Sequence, residues 1–295
     1  MSEYCTQCPR ECKINRIFSV GYCLAPAHFI ISKAYKHFWE EPCISGTSGS
    51  GTIFFSGCNL QCVYCQNQAI SHKIQGRKLE ASELVDLMLS LQDQGAHNIN
   101  LVTPAHYAEQ LVSTLILAKK LGLSIPIVYN THAYELVQSL KALDGLIDIY
   151  LPDCKYLFSK TAKNYSHASN YPLISQAAIE EMVRQQPRCI ISENDIMQKG
   201  VIIRHLLLPE QLSESKQLMK KLFKHYGNSV IYSIMNQYTP MSINQLFPEL
   251  NNYVSNKDYD NLIDFCIDFG MENAFIQEEG TATKSYIPDF NRFTE

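Results

Sequence analysis

Between Thr52 and Pro240 the sequence changes its hydrophobic period again and again. Short apolar runs at 52–57, 98–104, 125–131, 146–153, 200–209 and 229–240 read as strands. The stretches between them at 81–95, 106–122, 133–145, 173–186 and 211–227 read as amphipathic helices. In 81–95, Leu84, Leu87, Met88 and Leu91 fall on one helical face, with Ser82 as the expected N-cap and Gly95 as the stop. Repeated alternation of this kind implies an α/β fold, a parallel sheet covered by helices. The carboxyl ends of such strands share one face, and ligand-binding residues gather there. That face collects Thr103, Asn130, His132, Asp153, Lys155, Arg204 and His205, together with the loop after the first strand.

That loop reads "SGCNLQCVYCQN", with Cys58, Cys62 and Cys65 in a C-x3-C-x2-C spacing. A closed zinc site takes four ligands, usually as two pairs of cysteines. Three thiolates on a four-iron cluster leave one iron open, and an open coordination position is where a substrate or cofactor binds. The remaining cysteines are unevenly spread. Cys5, Cys8, Cys12, Cys23 and Cys43 precede a Gly/Ser-rich stretch at 45–51, whereas Cys154, Cys189 and Cys266 lie far apart. Eleven cysteines behind a polar N-terminus without an apolar signal region point to a reducing, cytoplasmic setting and to metal or catalytic use of thiols. No apolar run reaches the ~20 residues of a membrane span. The net charge of -4 gives no basic excess for a nucleic-acid partner.

C-x3-C-x2-C with Tyr64 before the last cysteine, directly after a first strand, resembles the radical S-adenosylmethionine (radical SAM) superfamily. "GTIFFSGCNLQCVYCQN", "NLVTPAHY", "PIVYNTHAYE", "DIYLPDCKY", "GVIIRHLLLPE" and "SIMNQYTP" are together similar to its pyruvate formate-lyase activating enzyme-like group, in the paralogous branch of unassigned activity. The resemblance implies a partial (βα)6 barrel at 49–240, a small Cys-rich metal-binding segment at 1–48 and a C-terminal extension at 241–295 that caps the barrel. It implies a [4Fe-4S] cluster on Cys58, Cys62 and Cys65. S-adenosylmethionine would be cleaved there to methionine and a 5′-deoxyadenosyl radical that takes hydrogen from a substrate. An electron donor such as flavodoxin or ferredoxin is implied as a partner.

Carried over by position, Tyr64 would contact the adenine, Lys155 of the Asp153/Lys155 pair and Arg204 would face the SAM carboxylate, and Asn130 would approach SAM. Thr103-Pro104-Ala105 stands where the superfamily has Gly-Gly-Glu for the SAM amino group, so the Thr103 hydroxyl or backbone carbonyls are the substitutes expected there. Alone, Asp153 and Lys155 would read as a solvated pair; their place on the shared face gives them a role. Neighbouring strand residues point oppositely, so Arg204 is expected inside the barrel and His205 outside, with Cys154 turned away from the site. His132 and His205 are candidate proton carriers, with ordinary packing as the competing account. Tyr35, His37, Phe38 and Trp39 read as core packing or docking.

Cys5, Cys8, Cys12 and Cys23 supply four thiolates, a closed set suited to zinc or to a second iron–sulfur cluster, with Cys43 as an alternative ligand. Three readings of function follow. The first is a radical enzyme acting on a protein or peptide, as glycyl-radical activating enzymes do. The second is a radical enzyme acting on a small molecule. The third is a non-catalytic iron–sulfur or zinc protein serving as sensor or scaffold.

Overall fold

A computed structural model describes residues 4–241, 243–278, 280, 282–283 and 287–294. Among them lie ten strands: β1 Phe29–His37, β2 Ser50–Phe55, β3 Arg77–Leu79, β4 Ile99–Val102, β5 Ile127–Thr131, β6 Ile149–Pro152, β7 Ile190–Ile191, β8 Met197–Leu206, β9 Ile231–Met235 and β10 Ala274–Ile276. The helices are α1 Pro42–Ser45, α2 Gln68–Ser71, α3 Ala81–Asp93, α4 Ala108–Lys120, α5 Val137–Lys141, α6 Ser159–Ser166, α7 Tyr171–Gln185, α8 Leu212–Tyr226 and α9 Asn256–Asp268. The strand order is β10-β9-β8-β6-β5-β4-β2-β1-β3, with β7 on β8. The strands β2, β4, β5, β6, β8 and β9 pair in parallel and in chain order, which is the expected (βα)6 arrangement left open.

Alternation along each strand sorts side chains to two faces. Ile53, Leu101, Tyr129, Tyr150, Ile203 and Tyr232 face outward and pack with Leu84, Leu111, Leu115, Met182 and Leu218 of the helices. Their neighbours Val128, Ile149, Leu151, Ile202 and Ile231 form a separate inner cluster with Cys43 and Ile44. The short helix α1 is therefore an apolar plug in the barrel. Cys43 is buried in that plug beside Cys189, in a cluster apart from the N-terminal thiols, so it is not their alternative ligand. Above the plug comes a polar layer of Glu40, Asn100, Asn130, Asp153 and Arg204.

Several elements differ from the periodicity. The helix expected over 133–145 is confined to α5, because Ala133 has φ +57 and its N–H is held by the Thr131 hydroxyl. The cap of α3 is Glu80 rather than Ser82, in a capping box with Glu83. The antiparallel strands β1 and β3 extend the sheet beyond β2. Tyr35 and His37 hydrogen-bond each other beside Phe54, but Phe38 and Trp39 are exposed and form no part of the core. In the C-terminal extension α9 lies against α8, with Tyr259 and Leu262 in the outer core. Phe247 and Glu249 instead meet Tyr165, and Phe290 packs on Phe54.

Candidate active site at the barrel mouth

The three-cysteine loop leaves β2 through Gly57, whose φ of +84 and lack of a side chain are both required. A Cβ there would meet the Cys23 carbonyl oxygen at 2.3 Å. Every thiol of the loop is hydrogen-bonded. Leu60 N–H donates to Cys58 Sγ at 3.3 Å, Ser166 Oγ to Cys62 Sγ at 3.0 Å and Ser71 Oγ to Cys65 Sγ at 3.4 Å. Burial, then the neighbouring Cys62, pushes the Cys58 thiol up to about 12. Among the described residues no three His, Cys, Asp or Glu side chains converge on a single metal ion. A cubane of four irons is wide and takes its thiolates from around its corners. Three hydrogen-bonded sulfurs fit such a group, and hydrogen bonds to the sulfurs are one of the protein's means of tuning it.

Asp153 continues the line of β6 and pairs with Arg204 of β8 through an isolated bridge. Its carboxylate accepts from Lys155 Nζ at 2.8 Å and from Arg204 Nε at 3.0 Å. Burial works to raise its pKa, but the two cations together outweigh burial and hold it down at about 2. Burial also works against the charge on Lys155, and Asp153 and Cys62 outweigh that, so its pKa is raised. Lys155 thus stands between Asp153 and the cysteine loop with N–H donors to spare. Arg204 is more committed. Its Nη1 donates to Glu40 at 3.1 Å and its Nη2 to Asn130 Oδ1 at 2.8 Å. Asn130 turns its amide to the same network, donating to Glu40 at 3.3 Å. Glu40 is the member that no sequence pattern announces, since it lies 164 residues from Arg204 in the loop before α1.

The two histidines separate. His205 points outward, bridging the Cys154 carbonyl and Ser215 Oγ at 2.8 Å each, which is a packing role between β8 and α8. His132 is buried, and its Nδ1 accepts from Tyr134 N–H at 3.0 Å. Burial, then the charge on Lys155, pushes its pKa down to about 3, so the ring is neutral with its proton on Nε2. That Nε2 has no acceptor among the described residues. Thr103 sits at φ +59, a conformation that strains a β-branched residue and that glycine would adopt freely. Tyr64 is ringed by tyrosines: its hydroxyl hydrogen-bonds that of Tyr156 at 2.8 Å, and its ring meets Tyr165 and Tyr238 edge-on.

The N-terminal segment is fastened to this loop. Arg10 stacks on Tyr22 at 3.9 Å and donates to the carbonyls of Asn59, His167 and Ser166 at 2.8, 2.8 and 3.2 Å. Gln61 Nε2 donates to the Tyr22 carbonyl at 2.7 Å. Burial, and after it the nearby Cys23 and Cys5, works to raise the pKa of Cys8; burial, and after it Cys5 and Cys12, works to raise that of Cys23. Arg10→Ala is expected to release residues 4–28. Limited proteolysis should show cleavage there at least roughly tenfold faster, with Arg10→Lys little better because an ammonium cannot span three carbonyls.

Comparison with known proteins adds the following. Residues 44–174 match the family described as "4Fe-4S single cluster domain". The uncharacterized protein MJ0674 of Methanocaldococcus jannaschii is 26% identical over 280 residues, covering 91% of this chain and 75% of that protein. MJ0808 of the same organism is 26% identical over 182 residues, covering 51% of this chain and 52% of that protein. The structure of Streptococcus suis SuiB bound to S-adenosylmethionine aligns with a TM-score of 0.53 at 13% identity, over 76% of this chain and 49% of SuiB. SuiB bound to its precursor peptide SuiA gives 0.52 at 14% identity, over 77% and 48%. The chain spans about half the length of SuiB, and what the two share is the fold. The helices of the described residues include none long and apolar enough to cross a membrane. Residues 44–174 are thus similar to a 4Fe-4S single cluster domain, and the chain shares its fold with SuiB.

Proposed function

We propose that the chain is a radical SAM enzyme that takes hydrogen from a polypeptide substrate. When bound, a reduced [4Fe-4S] cluster and S-adenosylmethionine supply the 5′-deoxyadenosyl radical that removes the hydrogen. Cys58, Cys62 and Cys65 hold the cluster. Lys155, fixed by Asp153, offers its remaining N–H donors to the SAM carboxylate, a charge-assisted contact. His132 adds its unpaired Nε2–H on the same face. Arg204 and Asn130 act from behind, keeping Asp153 ionised and the pair oriented. Thr103 takes the position of the SAM amino group's receptor, and Tyr64 that of the adenine contact. Cys5, Cys8, Cys12 and Cys23 hold a second metal centre, zinc or iron–sulfur, against the loop.

The observation that carries this reading is the set of three hydrogen-bonded sulfurs facing a largely buried, ionised Lys155. A sensor or scaffold has no use for a cation held beside an open cluster. The polypeptide substrate draws support from the likeness to activating enzymes and from SuiB, a protein of this fold seen with a precursor peptide.

The test is anaerobic reconstitution with iron and sulfide, reduction with dithionite and chromatography for 5′-deoxyadenosine. A cluster with product supports the reading. A cluster without any product, or with all its irons held by protein, ends it.

A further inference from the structure

The loop from Asp153 to Leu157 has two faces. Inward, it presents Asp153, Lys155 and the Tyr156 hydroxyl. Tyr156 Oη bonds Ser166 Oγ at 2.6 Å, and Ser166 Oγ donates in turn to Cys62 Sγ at 3.0 Å. Outward, Cys154, Tyr156 and Leu157 line a cavity of about 480 Å³ between α7 and α8. The groove is thus one loop's thickness from the sulfur of Cys62. The loop is also stiff. Glu214 of α8 accepts from Leu157 N at 2.7 Å, Phe158 N at 2.8 Å and Thr161 Oγ1 at 2.6 Å, and His205 grips the Cys154 carbonyl.

The rim of the groove is basic. Lys220, Lys221, Lys224 and His225 of α8 lie along it and are exposed, whereas the chain as a whole carries a net charge of -4. Lys221 reaches across to Gln176 of α7 at 2.7 Å. Glu180 is the nearby opposing charge, felt by Tyr226 in the groove wall. A local cationic rim on an anionic molecule draws an acidic protein to one place and repels it elsewhere. Electron-transfer encounters are small and weak, which suits a rim of this size.

We propose that the α7–α8 groove is the docking site of an acidic one-electron carrier protein, which delivers its electron through the 153–157 loop to the centre held by Cys62. The proposal rests on the radical SAM reading above. In this step the carrier loses one electron and the cluster gains it; no covalent bond is made or broken.

The test uses the full chain and flavodoxin as the acidic carrier. In calorimetric titration at low salt, oxidised flavodoxin is expected to bind the wild type. The variant Lys221→Glu/Lys224→Glu should bind at least tenfold more weakly and lose the salt dependence. The variant Lys119→Glu/Lys120→Glu makes the same change of net charge on α4 and should bind like the wild type. With reconstituted protein, flavodoxin-driven 5′-deoxyadenosine formation should fall by the same factor in the α8 variant, and dithionite-driven formation should not change. Equal binding by the α8 variant and the wild type, or equal weakening by the α4 variant, overturns the proposal; the first result would leave the groove to a small anion or to a second copy of the chain. Failure of the dithionite reaction in the wild type would end the radical SAM reading instead, while the titration still decides where the carrier docks. Lys220→Glu/Lys224→Glu repeats the comparison if the first variant folds poorly by circular dichroism.

Discussion

Replacement of Cys62 by alanine is expected to remove both the iron–sulfur absorption of the reconstituted loop and the 5′-deoxyadenosine product, down to background. Cys62 is the thiol that Ser166 Oγ approaches at 3.0 Å, and it lies midway in the run from Cys58 to Cys65. With two thiolates left, one cluster iron more has no protein donor, and metal binding at such a site is lost together with its ligand set. The comparison that gives the result meaning is Cys154→Ala. That thiol is equally buried but packs in the outer core. It should cost about 1 kcal/mol of packing and leave the product intact. Any absorption from the N-terminal thiols would survive in Cys62→Ala, so the product and not the colour is decisive. Product persisting in Cys62→Ala would show that the loop does not hold the reacting centre.

The second large effect is on stability. Arg204→Ala should destabilise the fold by roughly 3 kcal/mol, because it leaves two largely buried carboxylates without their shared cation, Glu40 with no cation among the described residues and Asp153 with Lys155 alone. The side chains are only 13%, 12% and 17% exposed for Arg204, Glu40 and Asp153, so water does little to screen them. Urea unfolding followed by far-ultraviolet circular dichroism measures the loss. A change under about 1 kcal/mol would mean that the network behaves as a solvated surface pair. The combined variant Arg204→Met/Glu40→Gln should recover part of the loss, since it removes the Glu40 charge along with its partner and leaves Asp153 paired with Lys155. The network also sets an acid limit. The folded pKa of Asp153, about 2, lies below its ordinary value of 3.8. Its contribution, on the order of 2 kcal/mol, is therefore whole above about pH 4 and disappears as the pH falls through the folded value. In Asp153→Asn that part of the acid dependence should vanish.

Much of this molecule was legible from period and spacing. The six parallel strands follow from the alternation of apolar runs with amphipathic stretches, and the inward turn of Arg204 against the outward turn of His205 follows from the strand's period of two. The helix over 133–145 was over-read because side-chain pattern says nothing of a backbone turned to φ +57 at Ala133. Glu40 was missed because ion pairs between distant loops leave no spacing to recognise. The docking of the N-terminal segment was missed for a related reason. Arg10 reaches carbonyl oxygens, which every residue possesses, and so its partners carry no mark in the sequence. The neutral tautomer of His132 depends on the N–H of Tyr134, again a backbone group.

The apolar plug made by Cys43 and Ile44 has a consequence for traffic. A barrel stoppered from below is closed at the end away from the cysteine loop. Whatever enters first is covered by whatever follows, and spent fragments of the first arrival leave only after the later one has stepped aside. On the function proposed above, that shape predicts a queue, in which a cofactor bound over the plug is seated before the polypeptide and discharged after it.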